Sequence, residues 1–294
     1  MNPNTQATDS QEWRSSTFTW MAPAKLNLFL HITGRRADGY HNLQSIFQFI
    51  SIYDELFFDI NDSGQIHRQN DITGVPEADD LIIRAARQLQ KHSRCSKGAN
   101  IGIHKNLPMG GGLGGGSSDA ATTLIALNKL WDTQVPLAEL AQIGLQLGAD
   151  VPIFIHGQAA WAEGVGEILQ PVTIDTPWYV VIKPPVHVDT GKIFSSQQLT
   201  RDKHPIKIRD FLDGDTENVC QPLVEQLYPP VKQAIDWLKA YAPTRMTGTG
   251  ACVFGRFESE EQAKACMAQL PSGWQAWLAK GLNQTPLYEM FHNS

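Results

Sequence analysis

Several clusters of residues in this chain have the types and spacing to do chemistry. Pro108 to Ser118 reads Pro-Met-Gly-Gly-Gly-Leu-Gly-Gly-Gly-Ser-Ser. Gly110, Gly111, Gly112, Gly114, Gly115 and Gly116 forfeit side-chain packing, and each costs about 0.5–1 kcal/mol against Ala in regular structure. What they offer is backbone at positive φ and N–H groups that a ligand can approach with no Cβ in the way. Ser117 to Trp131 follows, with apolar residues at 120, 121, 124, 127, 130 and 131. That is a helical stripe, with Ser117 or Ser118 as a natural N-cap. A glycine loop feeding a helix N-terminus predicts an anion site, and phosphate is the obvious occupant.

The loop fits neither common nucleotide motif. Gly110, Gly112 and Gly115 match G-x-G-x-x-G, but residues 130–145 read as helix and turn where a dinucleotide fold needs an acidic strand end. A Walker A loop needs a lysine where Ser117 stands. Lys25 and Asn27 lie two apart in an alternating stretch, either on a solvated strand face or as a cation–amide pair facing a ligand. Asp150, in Asp-Val-Pro just past a helix, reads locally as a turn residue. Gly164-x-Gly166 and Thr247-Gly248-Thr249-Gly250 read as tight turns. Among nine histidines, His41 stands out, next to Tyr40 in a Gly-flanked loop. There is no HExxH, no Cys/His set with metal spacing and no G-x-S-x-G.

Periodicity supplies the elements that must position these groups. A strand is expected over 17–32, with Leu26, Leu28, Leu30 and Ile32 on its core face. Leu43 to Ile52 is helix or strand, Asp54 to Ile60 a strand, and Asp62-Ser63-Gly64 a hairpin turn into Gln65–Arg68. Asp79-Asp80 caps a helix, Ala99 to His104 is a strand, Pro136 opens a helix ending at Gly148, and Ile153–Ile155 is a short strand. The second half reads as strand 178–182, helices within 208–241, strand 251–257, helix 259–270 and strand 275–280. Strand-helix-strand units on an antiparallel sheet predict an α+β second domain of ferredoxin-like form. The character changes around Pro171–Pro177, which predicts domains at 17–172 and 173–294.

Composition narrows the class. With 294 residues, 42% hydrophobic and 18% charged, the chain has the make-up of a soluble globular protein with one large or two ordinary domains. A net charge of −6 argues against non-specific nucleic-acid binding. Met1 to Ser16 lacks the apolar region of a secretory signal, and its first 14 residues read as a frayed extension. No apolar run approaches the roughly 20 residues of a membrane helix. Cys95, Cys220, Cys252 and Cys266 form no C-x-x-C and read as reduced thiols, so a cytoplasmic setting is expected.

Taken jointly, Pro23-Ala24-Lys25-Leu26-Asn27-Leu28, Pro108 to Ser118 and Thr247-Gly248-Thr249-Gly250-Ala251-Cys252-Val253-Phe254 resemble, in this order, the motifs of the GHMP kinase superfamily. Arg36-Ala37-Asp38-Gly39-Tyr40-His41 and Leu147-Gly148-Ala149-Asp150-Val151-Pro152 narrow the resemblance. They point to the branch that phosphorylates cytidine diphosphate methylerythritol in the non-mevalonate isoprenoid pathway. It covers about residues 20 to 290. The resemblance implies a two-domain α+β fold: a ribosomal-S5-domain-2-like ATP-binding domain, then a ferredoxin-like domain. It implies ATP and Mg²⁺ as cofactors, a small-molecule substrate, no nucleic acid, no membrane, and a monomer or weak homodimer.

Residue by residue, the resemblance implies that Asp150 is the general base toward the substrate's 2-hydroxyl and Lys25 its partner. Asn27 would hold the erythritol part. Tyr40 and His41 would stack on and read the cytosine, with Phe194 a second stacking aromatic. Pro108, Met109, Gly110, Gly111, Gly112, Leu113, Gly114, Gly115, Gly116, Ser117 and Ser118 would cradle the ATP phosphates, with Ser117 or Ser118 touching Mg²⁺. Phosphoryl transfer asks mainly for positioning and charge stabilisation. An aspartate with a pKa of about 4 is a weak base, yet it can take a proton late in a loose transition state. Two departures stand out: Asp80 replaces the family's usual Asn on the adenine side, and the N-terminal extension is longer than usual. The competing readings are a sister kinase acting on homoserine or mevalonate, and a nucleotide-binding sensor that has lost catalysis.

Overall fold

The computed structural model describes residues 18–212, 214 and 217–288; the N-terminal extension lies outside them. The fold is organised on two long antiparallel strands, β1 (Trp20–Arg35) and β2 (His41–Asn61). The stretch 43–60 is a single strand rather than two elements, and its run of Ile46, Phe47, Phe49, Ile50, Ile52 and Tyr53 suits a pleated buried surface. Its free edge is shared out: Glu55–Asn61 pairs with β4 (Gly98–His104), Ser45–Phe47 with β5 (Ala160–Glu163), and Ile50 and Phe49 with β10 (Gln275–Leu282). Because β4 occupies that edge, β3 (Ile66–Arg68) pairs in parallel outside β4, and the expected hairpin at 62–64 does not form.

Both faces of β1 are buried, not one. Lys25 is 2% and Asn27 4% exposed, while Phe29 and His31 are fully buried. This removes the solvated-strand reading of the Lys25–Asn27 pair. The register slips by a residue between Asn27 and Leu30, immediately after that pair; such bulges re-aim side chains.

Helices α1 (Leu81–Ser93), α2 (Gly115–Leu130), α3 (Leu137–Leu147) and α4 (Val151–His156) cover one face. Asp80 caps α1 as expected, its Oδ1 accepting from the Ile82 N–H at 2.9 Å. Helix α2 begins earlier than expected: its N-cap is Gly114, at φ 75, with no side-chain cap, and Ser117 and Ser118 lie inside the first turns. The predicted strand at 153–155 is instead α4. Pro152 sits in its opening turn and Gly157 closes it at φ 69, so the ends override the β-branched interior. Strand β6 (Ile168–Pro171) pairs with β5.

The second half contributes β7 (Trp178–Lys183), α5 (Thr190–Ser195), α6 (Ile208–Leu212), α7 (Gln221–Leu227), α8 (Pro229–Lys239), β8 (Thr244–Met246), β9 (Val253–Phe257), α9 (Glu260–Met267) and finally β10. The spatial order β10-β7-β9-β8, all antiparallel, is the ferredoxin-like arrangement expected. Because β10 also pairs with β2, one sheet path joins both halves. A core of Leu26, Phe29, Ile50, Leu113, Tyr179 and Phe254 draws from either side of that junction.

Candidate active site

The glycine loop is held by its carbonyls. The Lys25 N–H donates to Leu113 O (2.9 Å), the Cys252 N–H to Gly111 O (3.0 Å) and the Thr247 hydroxyl to Gly112 O (3.3 Å). Gly112 lies at φ 76, and a Cβ there would stand 2.4 Å from Thr247 O. Only glycine fits against this turn. With carbonyls turned into the protein, the first N–H groups of α2 have no intrahelical partner and remain for an anion. The Thr247–Gly250 turn is therefore part of the cup. Its own frame is Asn218, whose Nδ2 donates to Met246 O and Gly248 O at 2.8 and 2.7 Å.

Lys25 stands against this cup. Its Nζ donates to Gly112 O at 3.2 Å and to Asn27 Oδ1 at 2.6 Å, and pairs with Asp150 Oδ2 at 3.2 Å. The Asn27 amide is anchored at its other end, donating to Ser45 Oγ at 2.9 Å, so it works as a strut for the lysine. Asp150 occupies the N-cap position of α4 yet makes no cap bond, and its carboxylate is 35% exposed. A buried cation thus holds a carboxylate that reaches solvent beside a nest of backbone N–H donors.

The second cluster is aromatic. Tyr40 ends a tight turn closed by the Arg36 N–H to Tyr40 O at 2.8 Å, and its side chain is 62% exposed. The Asp38 carboxyl in that turn is held below the usual range by the Arg36 guanidinium and then by the Tyr40 N–H. The His41 ring stacks on Phe194, with centroids 5.3 Å apart and planes 24° apart. Helix α5 joins the two clusters. At its start Thr190 shares a hydrogen bond of 2.8 Å with Thr249 of the cup, and near its end Phe194 meets His41.

Sequence reasoning missed several groups here. Lys105 Nζ bridges two buried carboxylates, Asp54 Oδ2 at 2.5 Å and Asp119 Oδ2 at 2.8 Å, next to the first residue of α2. Asp54 Oδ1 also accepts from the Asn106 and Leu107 N–H groups, at 2.7 and 2.8 Å. Burial pushes the Asp119 carboxyl well above the ordinary range, against the pull of Lys105. Burial alone would lower Lys105, but Asp119 and Asp54 outweigh it and raise it. Lys105 and Asp119 flank the glycine loop in sequence, which is the one available signal; Asp54 offers none. Asp80 is fully engaged: Oδ1 accepts from the Ile82 N–H and Oδ2 from Arg68 Nη1 at 2.7 Å. The acid that stands where the resemblance implies an Asn is therefore spent on the cap and the arginine.

Comparison with known proteins assigns the fold and the family. The GHMP kinases N terminal domain model matches residues 80–158, and the GHMP kinases C terminal model matches residues 201–276. A Methanococcus jannaschii mevalonate kinase shares the fold at a TM-score of 0.67 and 15% identity, over 90% of this chain and 98% of that one. The fold is that of a GHMP kinase. The chain is 54% identical over 270 residues to the 4-diphosphocytidyl-2-C-methyl-D-erythritol kinase of Nitrosococcus oceani, covering 92% of this chain and 96% of the relative. It is 53% identical over 277 residues to that of Shewanella denitrificans, covering 94% and 98%. The crystal structure of a 4-(cytidine 5'-diphospho)-2C-methyl-D-erythritol kinase superposes with a TM-score of 0.79 at 31% identity, covering 90% and 99%. The chain belongs to the 4-diphosphocytidyl-2-C-methyl-D-erythritol kinase family.

Proposed function

We propose that this protein transfers the γ-phosphoryl group of ATP to the 2-hydroxyl of 4-diphosphocytidyl-2-C-methyl-D-erythritol, giving the 2-phosphate and ADP. The observation that carries this reading is Lys25, whose Nζ lies 3.2 Å from both Asp150 Oδ2 and Gly112 O. One buried cation touches the carboxylate that would accept the hydroxyl proton and the loop that would hold the triphosphate. The N–H groups of Gly115 to Ser117 bind the phosphates. Lys25 aims the Asp150 carboxylate and steadies charge as the alcohol attacks. Asn27 fixes Lys25. Tyr40 and Phe194 stack on the cytosine and His41 reads its edge.

The donor set also fits Mg²⁺. Ser118 Oγ and Asp119 Oδ1, in the first turns of α2, are buried with no hydrogen-bond partner among the described residues. Mg²⁺ takes few protein ligands and shares the rest with phosphate oxygens and water. Bound there with ATP, it would neutralise charge on the transferred group.

We place an ATP-binding and catalytic domain at 17–172 and a substrate-binding domain at 173–294, in a cytoplasmic monomer or weak homodimer that binds neither nucleic acid nor membrane. The net charge of −6 speaks against non-specific nucleic-acid binding, and no helix among the described residues is long and apolar enough to cross a membrane. The test is ADP release with the cytidylated methylerythritol, with mevalonate and homoserine as controls. Turnover on the first, abolished by EDTA, is expected. Turnover on a control alone would replace this substrate assignment.

A further inference from the structure

The aromatic cluster contains a group that no motif pointed to and that the transfer step does not use, the Arg201 guanidinium. Its Nε donates to His41 Nε2 at 3.0 Å and its Nη1 to Leu199 O at 3.1 Å. Its Nη2 donates to the carbonyls of Phe194 at 2.8 Å and Ser196 at 2.6 Å. A guanidinium donates hydrogen bonds and cannot accept them, so the His41 nitrogen it meets presents a lone pair. A neutral imidazole carries one ring proton, which here must sit on Nδ1. Nδ1 has no partner among the described residues, and the ring lies against Phe194.

We propose that Arg201 is a positioning residue that sets the choice of base. By holding His41 as its Nδ1–H tautomer, it offers a hydrogen-bond donor at the stacking slot, matched to the N3 lone pair of cytosine and opposed to the N3–H of uracil. The proposal rests on the reading of this slot as the cytidine site. The same guanidinium ties down the carbonyl of the stacking residue Phe194, so ring and reader are fixed together. The surroundings favour the neutral ring: burial, then Arg201, then Arg35 at the end of β1 all hold His41 below the usual histidine range. From α5, the packed group is the uncharged Phe194.

The wild-type protein gives the first test, through ¹⁵N–¹H correlation of histidine rings, with His41 assigned by its loss in His41→Gln. Protonated Nδ1 and bare Nε2 are expected; an Nε2–H tautomer overturns the proposal. The second test measures CDP and UDP affinity with the glycine loop filled by ADP. Wild type should favour CDP by about tenfold, the size of one neutral hydrogen bond. In Arg201→Met that preference should collapse toward unity while the His41 pKa rises. Arg201→Lys, which keeps the charge without the fork, should retain the depressed pKa but lose part of the preference. If Arg201→Met weakens CDP and UDP equally, Arg201 is only a loop clamp and the proposal falls. If wild type binds neither, the cytidine reading fails, and the ring spectra alone still decide the Arg201–His41 arrangement.

Discussion

The two ends of the site are built on opposite plans. At the proposed phosphate end the working groups are backbone N–H donors and a lysine that is 2% exposed, on a loop locked by hydrogen bonds to β1 and the 247–252 segment. At the proposed base end they are three rings: Tyr40 on a turn and 62% exposed, His41 at the start of β2 and Phe194 on α5, the last two held by Arg201. Charge transfer rewards fixed dipoles that need not reorganise. A stacking slot must stay open for a planar base to enter, and stacking tolerates small displacements. The difference predicts that errors at the phosphate end abolish rate, whereas errors at the base end cost affinity.

The strongest challenge to that contrast is Asp150→Asn. It should lower kcat by roughly 10²–10⁴-fold, the span of general-base contributions, with ATP binding nearly intact by calorimetry. A rate within a few-fold of wild type would remove Asp150 from the chemistry. Next is a glycine pair. Gly112→Ala meets both positive φ and a carbonyl 2.4 Å away, so ATP binding should be lost. Gly39→Ala at the base end, at φ 90 with open space around it, should cost only the roughly 1–2 kcal/mol of the left-handed backbone, read as a shift in Tm. Equal effects would mean that the crowding is unimportant.

Asp54→Asn should destabilise by about 1.5–3 kcal/mol, because that carboxylate satisfies two backbone N–H groups and Lys105. Asp119→Asn should cost less. The folded pKa of Asp119 is raised, so its stabilising share is present below the unfolded carboxylate value and lost as pH rises through the folded one. Denaturant titrations of both variants at pH 5 and pH 8 should therefore show Asp119→Asn gaining on wild type as pH rises. A growing deficit would reverse the assignment.

At the base end, Phe194→Ala should raise KM for the cytidylated substrate by the equivalent of about 1–3 kcal/mol. A loss confined to kcat would show that Phe194 serves the chemistry instead. The smallest effect concerns pH. His41 is depressed below its ordinary 6.5, so the neutral reader persists below that value and is lost only as pH falls through the lower folded pKa. Substrate affinity should hold from pH 8 to about 6.5 and decline below it; a decline already complete at pH 7 would contradict the depressed value.

Much of this was legible in the chain. The glycine run before an amphipathic segment announced a loop running into a helix N-terminus, and Asp80 announced its helix, because both depend on neighbours a few residues away. The errors share a cause. Ile153–Phe154–Ile155 has strand-like composition, but Pro152 and Gly157 set its ends and burial on all sides removes the face distinction a strand pattern needs. The 62–64 turn resembles a hairpin, but β4 holds the edge that a hairpin would use. Residue types and short spacing marked the glycines, Lys25 and the Tyr40-His41 pair as groups that could do chemistry, whereas Asp150 read locally as a turn residue and was singled out only by the family resemblance. Tertiary structure alone decided that Lys25 lies dry between Asp150 and Gly112, that Asp54 and Asp119 share Lys105, and that Arg201 meets His41. Those contacts join residues far apart in the chain, and only packing can bring such charges together and exclude the water that would screen them.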